Sequence, residues 1–137
     1  MSNFFQFNLV VPGKPICKSR PRFTRAGHTY TDKKTFNHEK TVRIMGKSIM
    51  KGDPPTKDQL ELDIAFVFEM PKSWSLKKRA EKLGTPHGVR PDLDNLVKII
   101  DALNNVVFED DCQVARMTAL KMWGEENGTF IQIQSAE

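Results

Sequence analysis

Apolar residues return at every second position near the start of the chain, where Phe5, Phe7, Leu9 and Val11 alternate with Gln6, Asn8 and Val10. A period of two puts one set on one face, so a half-buried strand is expected, ended by Pro12-Gly13. The same period recurs in Leu60, Leu62, Ile64, Phe66 and Phe68, a second and central strand stopped by Pro71. Between them Phe36, Val42, Met45 and Ile49 fall near helical spacing. They predict a helix over residues 35–50, capped by Thr35 and stopped by Gly52-Asp53-Pro54-Pro55. Residues 75–83 read as a short basic helix closed by Gly84. A third helix is expected over about 94–104, with Leu93, Leu96, Val97, Ile100 and Leu103 on one stripe and Asp94, Lys98 and Asp101 on another. After the apolar run Val106-Val107-Phe108, a strand carrying Val114, Leu120, Met122 and Trp123 with a bulge leads through the turn 124–128 into a strand over 129–134, closing a hairpin. The pattern describes an α+β fold: a single compact domain, a mixed β-sheet flanked by about three helices.

The length of 137 residues and a hydrophobic content of 39% supply one modest core. No stretch reaches the roughly 18 apolar residues of a membrane span, and the first residues lack the basic start and apolar run of a signal peptide. A cytoplasmic protein without membrane association is expected. Cys17 and Cys112 are far apart and have no spaced histidines nearby, which predicts free thiols and no zinc site. His28, His38 and His87 are scattered through polar surroundings and are assigned no catalytic role. Gly46-Lys47-Ser48 imitates the end of a phosphate-binding loop, but Thr41 stands where its first glycine belongs, so no nucleotide cofactor is expected. Asp92-Leu93-Asp94 lacks the glycine of a calcium-binding loop, Val97 standing there instead. Asn127-Gly128-Thr129 reads as turn chemistry.

Charge divides the chain. Residues 1–51 hold 11 lysines and arginines against 2 acids, whereas residues 52–137 hold 10 against 15. The basic half contains an exposed loop or loose hairpin over residues 14–34, broken by Pro15, Pro21 and Gly27. Its Lys14, Lys18, Arg20, Arg22, Arg25, Lys33 and Lys34 are candidate DNA contacts, with Phe23 and Tyr30 interleaved as rings that can stack on bases. Lys77, Lys78, Arg79 and Lys82 extend the basic surface or form a solvated helix face.

The acidic half carries the candidate chemistry. Asp92 and Asp94 would point about 200° apart inside a helix but share a side in extended chain. Pro91 disfavours helix at Arg90, so the pair straddles an extended approach to the third helix, and one of the two is its cap. Lys98 follows one turn later, and Asp110-Asp111 comes about a helix length further on. Carboxylates converging beside a lysine suit a hard divalent cation and a phosphate. Taken singly, these residues are equally explained as helix caps, an i, i+4 pair and a turn.

Taken in order, Pro91-Asp92-Leu93-Asp94-Asn95-Leu96-Val97-Lys98, Asp101-Ala102-Leu103-Asn104 and Asp110-Asp111-Cys112-Gln113-Val114 resemble the RusA family of Holliday junction resolvases. Lys18-Ser19-Arg20-Pro21-Arg22 and Met70-Pro71-Lys72-Ser73-Trp74-Ser75 resemble its phage and prophage version, extending the likeness over most of the chain. The resemblance implies a homodimeric, Mg²⁺-dependent endonuclease, with Mn²⁺ as a substitute, that resolves four-way DNA by paired symmetric nicks in recombination and repair. It carries the catalytic roles onto Asp92, Asp94, Asp111 and Lys98, the three aspartates as metal ligands, with Asp110 and Asp101 as second-tier candidates. The alternatives are a non-catalytic DNA-binding protein and a nuclease for other branched DNA such as flaps.

Overall fold

The structure, a computed structural model, describes residues 4–17, 22–27, 29–30 and 33–137. In chain order the elements are β1 (Gln6–Pro12), the small hairpin β2 (Arg22–Phe23) and β3 (Thr29–Tyr30), α1 (Lys33–Met50), β4 (Leu60–Glu69), α2 (Leu76–Lys82) and α3 (Leu93–Leu96). The last continues as a 3₁₀ helix over Val97–Leu103, and a further 3₁₀ turn at Asp111–Gln113 precedes β5 (Val114–Gly124) and β6 (Gly128–Ser135).

Four strands form one mixed sheet in the order β1-β6-β4-β5. β6 runs antiparallel to β1 and β4, while β5 lies parallel to β4 with a bulge opposite Leu60/Glu61. β4 is central, as its long alternating pattern predicts. The expected hairpin between β5 and β6 does not form: β4 separates them. The connection instead crosses the end of β4, where Met70 N–H donates to the Gly124 carbonyl (3.0 Å) and Glu69 N–H to Asn127 Oδ1 (2.8 Å). A Cβ on Gly124 would lie 2.3 Å from Val67 Cγ1, so any larger residue at this crossing would have to displace the Val67 side chain. Asn127-Gly128 supplies turn chemistry as expected, but turn chemistry does not choose the strand's partner.

One sheet face is covered. Phe7, Leu9, Leu62, Ile64, Phe66, Ile131 and Ile133 pack against Val42 and Met50 of α1, Leu96, Ile100 and Leu103, and the buried run Val106-Val107-Phe108. The buried face of α1 is Thr35, Val42, Gly46 and Met50, whereas Phe36 and Ile49 of the expected stripe are exposed. Gly46 sets this rotation. A Cβ there would meet Leu103 Cδ2 at 3.1 Å and Val106 Cγ1 at 3.3 Å, so the helix packs closely through its own backbone. The third helix also departs from expectation, being α-helical for four residues only. The β-branched run Val97, Ile99 and Ile100 weakens α-helical propensity, and the tighter 3₁₀ path still buries Ile99, Ile100, Ala102 and Leu103.

Among the described residues no helix covers the other face. One register row, Val10, Phe130, Ala65 and Leu120, crosses all four strands. Val10 is 54% exposed and Phe130 and Leu120 44% each, an apolar stripe open to solvent.

Candidate active site

The tract before Asp92 is tied to the edge of β5. Trp123 N–H donates to the Thr85 carbonyl (3.0 Å), and Gly84 and His87 N–H donate to the Trp123 and Lys121 carbonyls (2.9 and 3.1 Å). Lys121 then reaches further along the same tract, its Nζ donating to the Val89 carbonyl at 2.6 Å and to the Pro91 carbonyl at 2.7 Å. A cation thus fixes the backbone immediately before the first aspartate. Lys121 escaped the sequence reading, although a lysine between Ala119 and Trp123 on the inward alternation of a strand was a signal.

Asp92 takes the N-cap position of α3 in extended conformation (φ −70°, ψ 135°), but its carboxylate makes no capping hydrogen bond. The capping explanation therefore does not account for it. Asp94 follows in the first turn and is exposed. Both carboxylates act on the Cys17 thiol, which burial and then Asp92 push up, Lys121 pulls down and Asp94 pushes up again. Cys17 and Cys112 are free thiols. Lys98 Nζ donates to Asn95 Oδ1 at 3.2 Å, which aims it along the outer side of the helix.

The second group of acids sits on the 3₁₀ turn. Asp110 is a true cap: Cys112 N–H donates to its Oδ1 (3.0 Å), and Gln113 Oε1 accepts from Asp110 N–H (2.9 Å). Gln113 Nε2 also donates to the Thr56 and Asp58 carbonyls, each at 2.9 Å, and so anchors the turn beside β4. Asp111 points elsewhere. Hydrogen bonding with the Asp101 carboxyl, then with that of Asp110, then burial push it up to about 6, while the bond from Cys112 holds Asp110 below the usual carboxylate range.

The acids therefore form two sets: Asp92 with Asp94 near Cys17, and Asp101 with Asp110 and Asp111. Among the described residues no three His, Cys, Asp or Glu side chains are gathered into a finished metal cage. The donor chemistry nonetheless suits a hard divalent cation, because every candidate is a carboxylate and a cation beside Asp111 would compete with the proton that its raised pKa favours.

Beside Asp92 runs a groove of about 900 Å³, walled by Lys14, Cys17, Lys34, His38, Arg90 and Asn95 among others. Lys14, Lys34 and Arg90 make it basic. Lys34 and Lys33 stand in the first turn of α1 rather than in the loop, and Arg25 is exposed in the turn between β2 and β3. Arg22 lies in β2, while Lys18 and Arg20 fall outside the described residues. Lys78, of the short basic helix, lies 4.4 Å over the Trp74 ring.

A family model described as endodeoxyribonuclease RusA matches residues 12–134. The chain belongs to the RusA family. The match takes in both sets of acids, Lys98 and the groove walls. The chain is also similar to the uncharacterized protein YqaN of Bacillus subtilis (strain 168), 30% identical over 132 residues, covering 91% of this chain and 93% of that protein. No helix among the described residues of this RusA-family chain is long and apolar enough to cross a membrane.

Proposed function

We propose that this RusA-family chain is a Mg²⁺-dependent endonuclease that resolves four-way DNA junctions by paired nicks. The observation that carries the reading is the family match over residues 12–134, and it is supported by an Asp92 carboxylate left uncapped beside a basic groove. Asp92, Asp94 and Asp111 would hold the metal, with Mn²⁺ a substitute. Asp101 supports Asp111 through their shared hydrogen bond, and Asp110 orders the turn as its cap. When bound, the cation supplies a lowered water pKa and charge stabilisation at phosphorus.

The chain's own residues do the rest. Lys14, Lys34 and Arg90 bind backbone phosphates along the groove and bring one strand past Asp92. Lys98 places positive charge where the phosphate gains negative charge during displacement. Lys121 holds the Val89 to Pro91 backbone still, so the first carboxylate keeps its position. The products are a 5′-phosphate and a 3′-hydroxyl.

Paired nicks need two sites, and a second copy of the chain would supply the other. The row Val10, Phe130, Ala65 and Leu120 is the surface best suited to that copy. Four strands about 4.8 Å apart and about 26 Å long present a face on the order of 500 Å², so two copies would bury about 1,000 Å² in total, the lower end for a specific interface. Its charged rim holds the acids Glu61, Asp63 and Glu69 against Arg116, which pairs with Glu61 at 3.2 Å, so the apolar centre suits another apolar face and the rim repels a polyanion. The test is cleavage of a labelled four-way junction beside linear duplex and flap controls, with Mg²⁺ or EDTA. Metal-dependent symmetric nicks on the junction are expected; equal cutting of every substrate would reduce the activity to that of a general nuclease.

A further inference from the structure

A second recess, of about 400 Å³, opens beyond the groove and is lined by Lys14, Glu69, His87, Arg90, Trp123 and Asn127 among others. Lys14 and Arg90 also line the groove beside Asp92, so the two hollows share a basic wall. The floor is aromatic. The His87 ring stacks on Phe68 at 4.1 Å and 22° and lies 4.3 Å from Trp123, which in turn lies 4.9 Å from Trp74. His87 is only 5% exposed, and among the described residues its Nδ1 has no hydrogen-bond partner. Folding alone leaves that polar atom unexplained, since buried polar groups are ordinarily satisfied.

We propose that this recess receives one unpaired nucleobase of the branched DNA, with Lys14 and Arg90 holding the phosphates on either side of it. The proposal rests on the junction-cutting reading and adds a site to it. The volume lies within the roughly 300–1,000 Å³ of small-ligand sites. A stacked duplex cannot enter such a hollow, whereas a branch point yields a base at low unstacking cost. Phe68 and His87 lie buried beneath, so the half-buried Trp123 ring is the face offered to a base, and two cations suit its flanking phosphates. Asn127 Oδ1 is engaged by Glu69 N–H, which leaves the amide NH₂ as a donor and the Glu69 carboxylate as an acceptor for the edge of the base.

The test uses the full chain in EDTA, so that binding is read without cleavage. Four-way junctions each carry one abasic nucleotide at a different branch-point position, and affinities are measured by fluorescence anisotropy for the native chain and for Trp123→Leu. At one position the abasic nucleotide should weaken native binding about tenfold, while Trp123→Leu should bind intact and abasic junctions equally. Abasic effects that are absent, or identical in the two proteins, overturn the proposal. Should Trp123→Leu fail to fold, 2-aminopurine at the same position decides with the native chain alone: quenching on binding supports stacking in the recess, and brightening overturns it. A native chain that does not prefer the intact junction over duplex removes the junction reading itself. A preference without any abasic effect removes only the recess.

Discussion

Replacing Lys121 with methionine keeps most of the stem and removes the charge that joins β5 to the tract before Asp92. Two hydrogen bonds are lost, from Nζ to the Val89 carbonyl at 2.6 Å and to the Pro91 carbonyl at 2.7 Å. Bonds to a charged donor contribute about 1.5–3 kcal/mol each, and the half-buried position lets water take over part of that loss. A destabilisation of about 2–4 kcal/mol is expected, which for this length lowers the Tm by roughly 8–16 °C. A second readout separates local from global damage. Lys121 pulls the Cys17 thiol down, so its removal should move the pH dependence of Cys17 alkylation upward. Lys121→Arg should keep the Cys17 behaviour by keeping the charge, while recovering only part of the stability. Junction cleavage should fall in the methionine variant at temperatures where it remains folded, because the Asp92 backbone loses its tether. A Tm change under about 3 °C with unaltered Cys17 reactivity would refute the tether.

Burial and then Lys121 push the His87 imidazole below its ordinary value. The unfolded chain therefore binds more protons near pH 6, so stability should be complete above about pH 6.5 and fall below it; chemical denaturation of His87→Phe should show a flatter profile, and parallel profiles would contradict this. His38 is pushed down in the same direction, so the difference between native and variant is the quantity to read. Asp111, pushed up to about 6, should release a proton when Mg²⁺ binds near pH 6 and release almost none at pH 8. Calorimetry in two buffers of different ionisation enthalpy measures this, and equal heats at pH 6 would count against Asp111 as a ligand. Phe130→Lys, on the open sheet face, should yield a monomer by analytical ultracentrifugation and uncouple the two nicks; an unchanged mass would place the pairing surface elsewhere.

Much of the fold could be read from periodicity because β4 and β6 bury alternate residues against one core. The insertion of β4 between β5 and β6 could not, since the crossing depends on the close approach of Gly124 to Val67, residues distant in sequence. Phe36 misled for a similar reason: helical spacing identifies a stripe, but the proximity of Gly46 to Leu103 selects which stripe turns inward. At the site, the local pattern Asp-x-Asp with a lysine one turn on drew attention to the tract beside the basic groove. It did not distinguish a capping aspartate from an uncapped one. Asp110 caps and Asp92 does not, and the Asp110 cap sits on a turn that Gln113 anchors by reaching across to Thr56 and Asp58. Lys121 is 29 residues beyond Asp92 in sequence and meets the tract before it only through the edge of β5, where the His87 N–H is also held.

The most direct measurement is to compare junction binding in EDTA with junction cleavage in Mg²⁺ for the native chain and Asp94→Asn. Asp94 is exposed on the first turn of α3, so its amide variant should fold normally. The account predicts native-like affinity with cleavage lost by at least a hundredfold, on the order of the effect of removing a metal ligand or its immediate support. Full cleavage by the variant, or loss of binding together with cleavage, would contradict the assignment of these carboxylates to catalysis.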